Sequence, residues 1–132
     1  MLNRITHIAF ADDDPGDHEL LSFVISEISP GIAITSFYRC DYLLEYLNDE
    51  NRLLPDIILL DYNMPGNNGN ECLTTIKKMA RLMNIPVVIY STSGQKELID
   101  EAYKQGADKY LVKPSDYKGT KAAIRQLIQE IG

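Results

Sequence analysis

The stretch Pro55-Asp56-Ile57-Ile58-Leu59-Leu60-Asp61-Tyr62-Asn63-Met64-Pro65-Gly66 decides the fold. Its four apolar residues run without alternation, the pattern of a strand buried on both faces of a parallel sheet. Pro55 opens the run and Asp61 closes it. A carboxylate at the end of a buried strand is costly unless it is paired or bound. Met64-Pro65-Gly66 then forces a loop, and Gly69 allows a tight turn into a helix.

Three further runs end in the same way. Ile8-Ala9-Phe10-Ala11 ends on Asp12-Asp13, Val87-Val88-Ile89-Tyr90 on Ser91-Thr92, and Tyr110-Leu111-Val112 on Lys113-Pro114. Between them lie helical spacings. Asp14-Pro15 supplies an N-cap and a first helical residue, followed by Leu20, Leu21, Val24, Ile25 and Ile28. Residues 32–37 alternate weakly and predict an edge strand, and 42–47 predict a short helix with Leu43, Leu44 and Leu47 inward. A helix over 69–83 is expected, with Leu73, Ile76 and Met79 or Ala80 on one face. Another over 96–105 closes at Gly106, and a last one over 116–131 carries Ile124, Leu127, Ile128 and Ile131.

Strand and helix thus alternate five times. The expectation is an α/β fold, a (βα)5 doubly wound parallel sheet of the flavodoxin-like kind, with strand order 2-1-3-4-5. One domain is expected over residues 1–132, with no linker, repeat or second domain. The formal net charge is −6 and the pI about 4.8. An acidic chain without a basic stripe is a poor nucleic-acid binder. No apolar run approaches a bilayer span, and no signal-peptide core is visible, so a cytoplasmic protein without membrane contact is expected. Cys40 and Cys72 form no CxxC pattern and read as two reduced thiols. His7 and His18 read as isolated surface or strand-start residues.

In an open parallel sheet, ligands bind beyond the carboxyl ends of the strands. Asp12, Asp13, Asp61, Ser91 and Lys113 would therefore converge at one edge. Taken alone, Asp12-Asp13-Asp14 also reads as turn and cap residues; the matching Asp61 turns the reading towards a site. Strand geometry sends neighbouring side chains to opposite faces, and the turn into the first helix relaxes this. Three crowded carboxylates repel unless a cation is shared. All-oxygen donors suit Mg2+ or Mn2+, with the Asn63 carbonyl completing the set. Asp61 is placed as a nucleophile towards phosphorus, forming an acyl phosphate. Lys113 supplies a fixed positive charge for phosphoryl oxygens, and Pro114 invites a cis peptide that aims it. Ser91 offers a hydroxyl.

In this combination the chain resembles the receiver domain of two-component response regulators, along its whole length. Asp12-Asp13 matches the acidic pair, Asp61-Tyr62-Asn63-Met64-Pro65 with Gly69 the phosphoacceptor loop, Ser91-Thr92 the switch hydroxyl and its neighbour, and Lys113-Pro114 the lysine-proline pair. Tyr110 falls at the aromatic switch position. The resemblance implies that Asp13 binds Mg2+ directly, Asp12 acts through water, and Asp61 accepts the phosphoryl group of a phosphohistidine. It implies a sensor histidine kinase or histidine phosphotransfer protein as donor and an output protein of unknown identity, and leaves a phosphorylation-dependent homodimer open. No enzymatic turnover beyond self-phosphotransfer and autodephosphorylation is expected. Thr92 stands where alanine is common, so a bulkier side chain borders the phosphoryl group. Ser91 replaces the commoner threonine. A phosphorelay intermediate or phosphate sink would use the same residues. A haloacid-dehalogenase-like phosphatase would need a threonine that Asp12-Asp13-Asp14-Pro15-Gly16 lacks. A calcium loop starting at Asp61 fails at Pro65 and Cys72.

Overall fold

The computed structural model describes residues 5–62, 64 and 69–131. Five parallel strands form one sheet: β1 (His7–Ala11), β2 (Ala33–Phe37), β3 (Ile57–Leu60), β4 (Val87–Ser91) and β5 (Lys109–Val112). Their order is 2-1-3-4-5, as the alternating pattern predicts. The helices are α1 (Pro15–Ile28), α2 (Cys40–Asn48), α3 (Gly69–Lys77), α4 (Lys96–Lys104) and α5 (Tyr117–Ile131).

Period-two geometry sorts the strand residues between two cores. Ala9, Ala11, Ile58, Leu60, Val87 and Ile89 face the side covered by α2, α3 and α4. Ile8, Phe10, Ile57, Leu59, Val88 and Tyr90 face α1 and α5. All four residues of β3 are buried, so the central run is apolar on both faces for a physical reason. Burying each such side chain contributes about 1.5–3 kcal/mol. Two carboxylates pin the strand starts. Asp56 accepts from the amides of Thr6 and His7, at 2.8 and 3.0 Å, and Asp108 accepts from the Val87 amide at 2.8 Å.

The helix starts follow capping chemistry. Asp14 accepts from the Gly16 amide at 2.9 Å with Pro15 in the first turn. Asp116 lies just before α5 rather than inside it, and its carboxylate accepts from the Gly119 amide at 2.7 Å. Gly106 follows α4 with φ of 105°, the left-handed conformation that favours glycine.

Two expectations need correction. The helix over 69–83 stops at Lys77, and a 3-10 turn (Ala80–Leu82) follows. A continued helix would carry Ile76 and Met83 on one face; the break instead buries Leu82 and leaves Met83 72% exposed. Cys40 and Cys72 are not two thiols but a disulfide linking α2 to α3. Their Cα atoms lie 6.1 Å apart, within bridging range, and both residues are fully buried. The residues are 32 positions apart on separate helices, so local spacing carried no sign of the pairing.

Candidate phosphoacceptor site

The strand ends do converge. One carboxylate oxygen each from Asp12, Asp13 and Asp61 can lie within 4.8 Å of one another. Asp12 and Asp61 are buried while Asp13 is exposed. The ends of β1 and β3 are locked together because the Asp61 amide donates to the Ala11 carbonyl at 3.0 Å. Asp12 is held by its amide on the Phe37 carbonyl, at 3.0 Å, and by its carboxylate accepting from the Asp14 amide, also at 3.0 Å. All-oxygen donors at this spacing fit a hard divalent cation. Asn63, placed in that set by the sequence, lies outside the described residues, as do Pro65 and Gly66.

Gly69 sets the depth of this floor. Its amide donates to the Tyr62 carbonyl at 2.8 Å. A Cβ here would lie 2.2 Å from the Tyr62 Cα and 2.7 Å from the Asp61 carbonyl oxygen. Only glycine permits so close an approach of α3 to the Asp61–Tyr62 backbone.

Lys113 reaches in from the end of β5, tied to β4 by its amide on the Ser91 carbonyl at 2.7 Å. Its Nζ donates to Asp12 at 2.7 Å and Asp17 at 2.8 Å, and lies 3.7 Å from Asp61. Burial works to lower the Lys113 pKa, but the hydrogen bonds it donates to Asp12 and Asp17 outweigh it and hold the ammonium above its ordinary value. Burial pushes the Asp12 carboxyl above its usual range, opposed by the Lys113 hydrogen bond. Tyr90 lies beneath, its ring centroid 5.4 Å from Nζ, and burial raises its hydroxyl pKa to about 12.

Ser91 is buried at the end of β4, and its Oγ accepts from the Ser93 amide at 3.2 Å. The hydroxyl proton is therefore still available to a donor role. Thr92 is exposed beside it. Among the described residues no peptide is cis, so the Lys113–Pro114 bond is trans and the lysine is aimed by its ion pairs instead. Tyr110, at the position read as the aromatic switch, is turned inward at 9% exposure. Its hydroxyl donates to the Ser93 carbonyl at 2.7 Å, and its amide donates to the Tyr103 hydroxyl at 3.1 Å.

Two residues at this edge were not read from sequence as part of the site. Asp17 is one turn into α1, where the spacing from Asp14 was the available signal. His18 is buried rather than on the surface, and its Nε2 lies 2.7 Å from the Asp12 carbonyl oxygen. A groove of about 690 Å³ lies at the opposite end of the sheet against His7, Tyr46 and Arg52, away from this chemistry. No helix among the described residues is long and apolar enough to cross a membrane.

Comparison with known proteins agrees with the geometry. The family model of the response regulator receiver domain matches residues 8–125. The phosphate regulon transcriptional regulatory protein PhoB of Klebsiella pneumoniae is 34% identical over 124 residues, covering 94% of this chain and 52% of PhoB. The chain spans about half the length of the curated relatives it matches. Among solved structures, the phosphorylated cyanobacterial phytochrome response regulator RcpA superposes with a TM-score of 0.86 at 26% identity, over 93% of this chain and 91% of that one. The Mn(2+)-bound form of response regulator Rcp1 superposes with a TM-score of 0.81 at 26% identity, over 96% and 91% of the two chains. The strand order, the acidic cluster with its lysine, and these matches together establish that the chain belongs to the response regulator receiver domain family.

Proposed function

We propose that residues 1–132 act as one receiver domain that takes a phosphoryl group from a phosphohistidine onto Asp61. The observation that carries this is the position of Asp61: buried at the end of β3, 3.7 Å from the Lys113 ammonium and clustered with Asp12 and Asp13. A carboxylate oxygen of Asp61 attacks phosphorus, the phosphorus–nitrogen bond of the donor breaks, and the electron pair leaves on the imidazole. The product is an acyl phosphate. Asp12, Asp13, Asp61 and the Asn63 carbonyl would hold Mg2+ or Mn2+. Bound there, the ion offsets carboxylate repulsion and neutralises charge on the transferring group. Lys113 holds a fixed positive charge against that group, Ser91 donates its hydroxyl to a phosphoryl oxygen, and Thr92 borders the group.

The donor would be a sensor histidine kinase or a histidine phosphotransfer protein, in the cytoplasm. The Cys40–Cys72 bridge is the feature that runs against a reducing compartment. Output would pass through the face made by α4, β5 and α5. There Tyr103 is 47% exposed and Tyr110 links it to the loop after Ser91. An output protein or a second copy would bind this face when the phosphoryl group favours one of its two arrangements.

Asp61→Asn tests the assignment, since an amide is a poor nucleophile. Wild type incubated with acetyl phosphate and Mg2+ should gain the mass of one phosphoryl group, and the variant should not. An acid-stable phosphoryl adduct on the variant would refute the assignment.

A further inference from the structure

His18 sits behind the acidic pair and touches it only through the main chain. It lies one turn into α1, four residues after the cap Asp14, and is 5% exposed. Its ring is held between Phe10 and Tyr38, with centroids 4.7 and 4.3 Å away. Nε2 lies 2.7 Å from the Asp12 carbonyl oxygen. A carbonyl only accepts, so Nε2 carries the proton and donates. Nδ1 is then a bare acceptor, and it is buried without a hydrogen-bond partner.

That orphan acceptor argues against His18 as simple filling. An apolar side chain would pack between Phe10 and Tyr38 without burying an unpaired nitrogen. What the imidazole adds is the single bond from Nε2. The bond falls on the peptide joining Asp12 to Asp13. β1 ends at Ala11 and β2 at Phe37, so the ladder stops here. The Asp12 amide still donates to Phe37, and the carbonyl takes its bond from His18. Regular strand geometry would point Asp12 and Asp13 to opposite faces, yet both carboxylates join Asp61 in one cluster. The peptide plane between them decides whether they can.

We propose that His18 is a positioning residue for the divalent-cation site: its Nε2–H fixes the Asp12–Asp13 peptide so that both carboxylates converge. This rests on the reading that Asp12, Asp13 and Asp61 hold a cation. His18 touches no phosphoryl group and takes no part in the chemical step.

The experiment is Mn2+ binding followed by the electron paramagnetic resonance signal of free Mn2+. It compares wild type, His18→Leu, His18→Gln and Asp13→Ala, each confirmed folded by its melt in EDTA. Loss of an outer-shell hydrogen bond should weaken Mn2+ about tenfold or more in His18→Leu. His18→Gln returns an N–H donor near Nε2 and should recover most of the affinity, which a role in packing alone would not produce. Should His18→Leu fail to fold, the wild type still decides, because imidazole 15N NMR reports the tautomer: Nε2-protonated is expected, and Nδ1-protonated overturns the proposal. Wild-type affinity in His18→Leu, with binding lost in Asp13→Ala, would overturn this proposal and leave the metal reading standing. Absence of Mn2+ binding in wild type would overturn both.

Discussion

Replacing Gly69 by alanine tests how closely α3 must approach Asp61 and Tyr62. The added Cβ would meet the Tyr62 Cα at 2.2 Å, its Cδ1 at 2.5 Å and the Asp61 carbonyl oxygen at 2.7 Å. Carbon atoms in ordinary contact sit about 3.5–4.0 Å apart. Two of the three neighbours are backbone, so no rotamer change relieves the clash. The helix must move away by roughly 1 Å, stretching the bond from the Gly69 amide to the Tyr62 carbonyl and loosening Cys72 and Leu73 in the core. Overpacking costs about 1–3 kcal/mol, and a weakened hydrogen bond about 1 kcal/mol more. A loss of about 3 kcal/mol should lower Tm by roughly 10 °C in a domain of this size. Acetyl phosphate labelling should also slow, because Asp61 moves with its backbone. The control is Gly31→Ala, where the nearest neighbour of a Cβ is the Ser29 Oγ at 4.0 Å. It should change stability by no more than about 0.5 kcal/mol. A Gly69→Ala protein melting within about 2 °C of wild type would refute the argument from close approach.

Mg2+ should raise Tm relative to EDTA, by the equivalent of about 1.4 kcal/mol at tenfold over Kd, and Asp13→Ala should abolish the difference in the same scans. Asp17→Asn should free one Nζ proton of Lys113 and remove a negative charge from the site, so beryllofluoride should bind about fivefold tighter in a titration followed by NMR; weaker binding would mean that Asp17 aims the lysine rather than competing for it. Tyr62 and Tyr90 have hydroxyl pKa values raised to about 12 by burial. The fold therefore favours their neutral forms, the unfolded chain ionises first, and stability should fall as pH rises from about 10 to 12. The Lys113 pairing, complete below the unfolded lysine pKa, is lost over the higher range as pH climbs through its raised folded value. Absorbance of tyrosinate should show these two residues ionising only with unfolding.

Much of this was legible in the chain, for reasons that particular residues make plain. Four apolar runs each ended on a polar or charged residue, and an open parallel sheet brings such ends together whatever lies between. Asp14-Pro15 and Gly106 marked helix boundaries because their roles are local. Other features depend on distance that no local pattern encodes. Asp17 meets Lys113 across 96 positions, and its acidic neighbours concealed it. His18 looked like any isolated histidine, because its bond is to a carbonyl whose direction only the strand end sets. The third helix ran too long in the sequence because Met79, Ala80 and Met83 keep a helical spacing that tertiary packing overrides in favour of Leu82. Tyr110 faced inward for a partner, the Ser93 carbonyl, that lies on another loop.

The bridge between Cys40 and Cys72 closes a ring of chain that contains the whole of β3 and Asp61. Basic residues lie at Arg39, Arg52 and Lys77 around it. Trypsin acting on the unfolded, unreduced protein would cut outside the ring at Arg39 and Lys77 and once inside it at Arg52. The fragment 53–77, which bears Asp61, would then remain covalently joined to 40–52. Any phosphoryl label on Asp61 therefore travels with a second, unlabelled peptide until the sulfurs are reduced. In the oxidised protein, a single break between residues 40 and 72 cannot separate Asp61 from the rest of its chain.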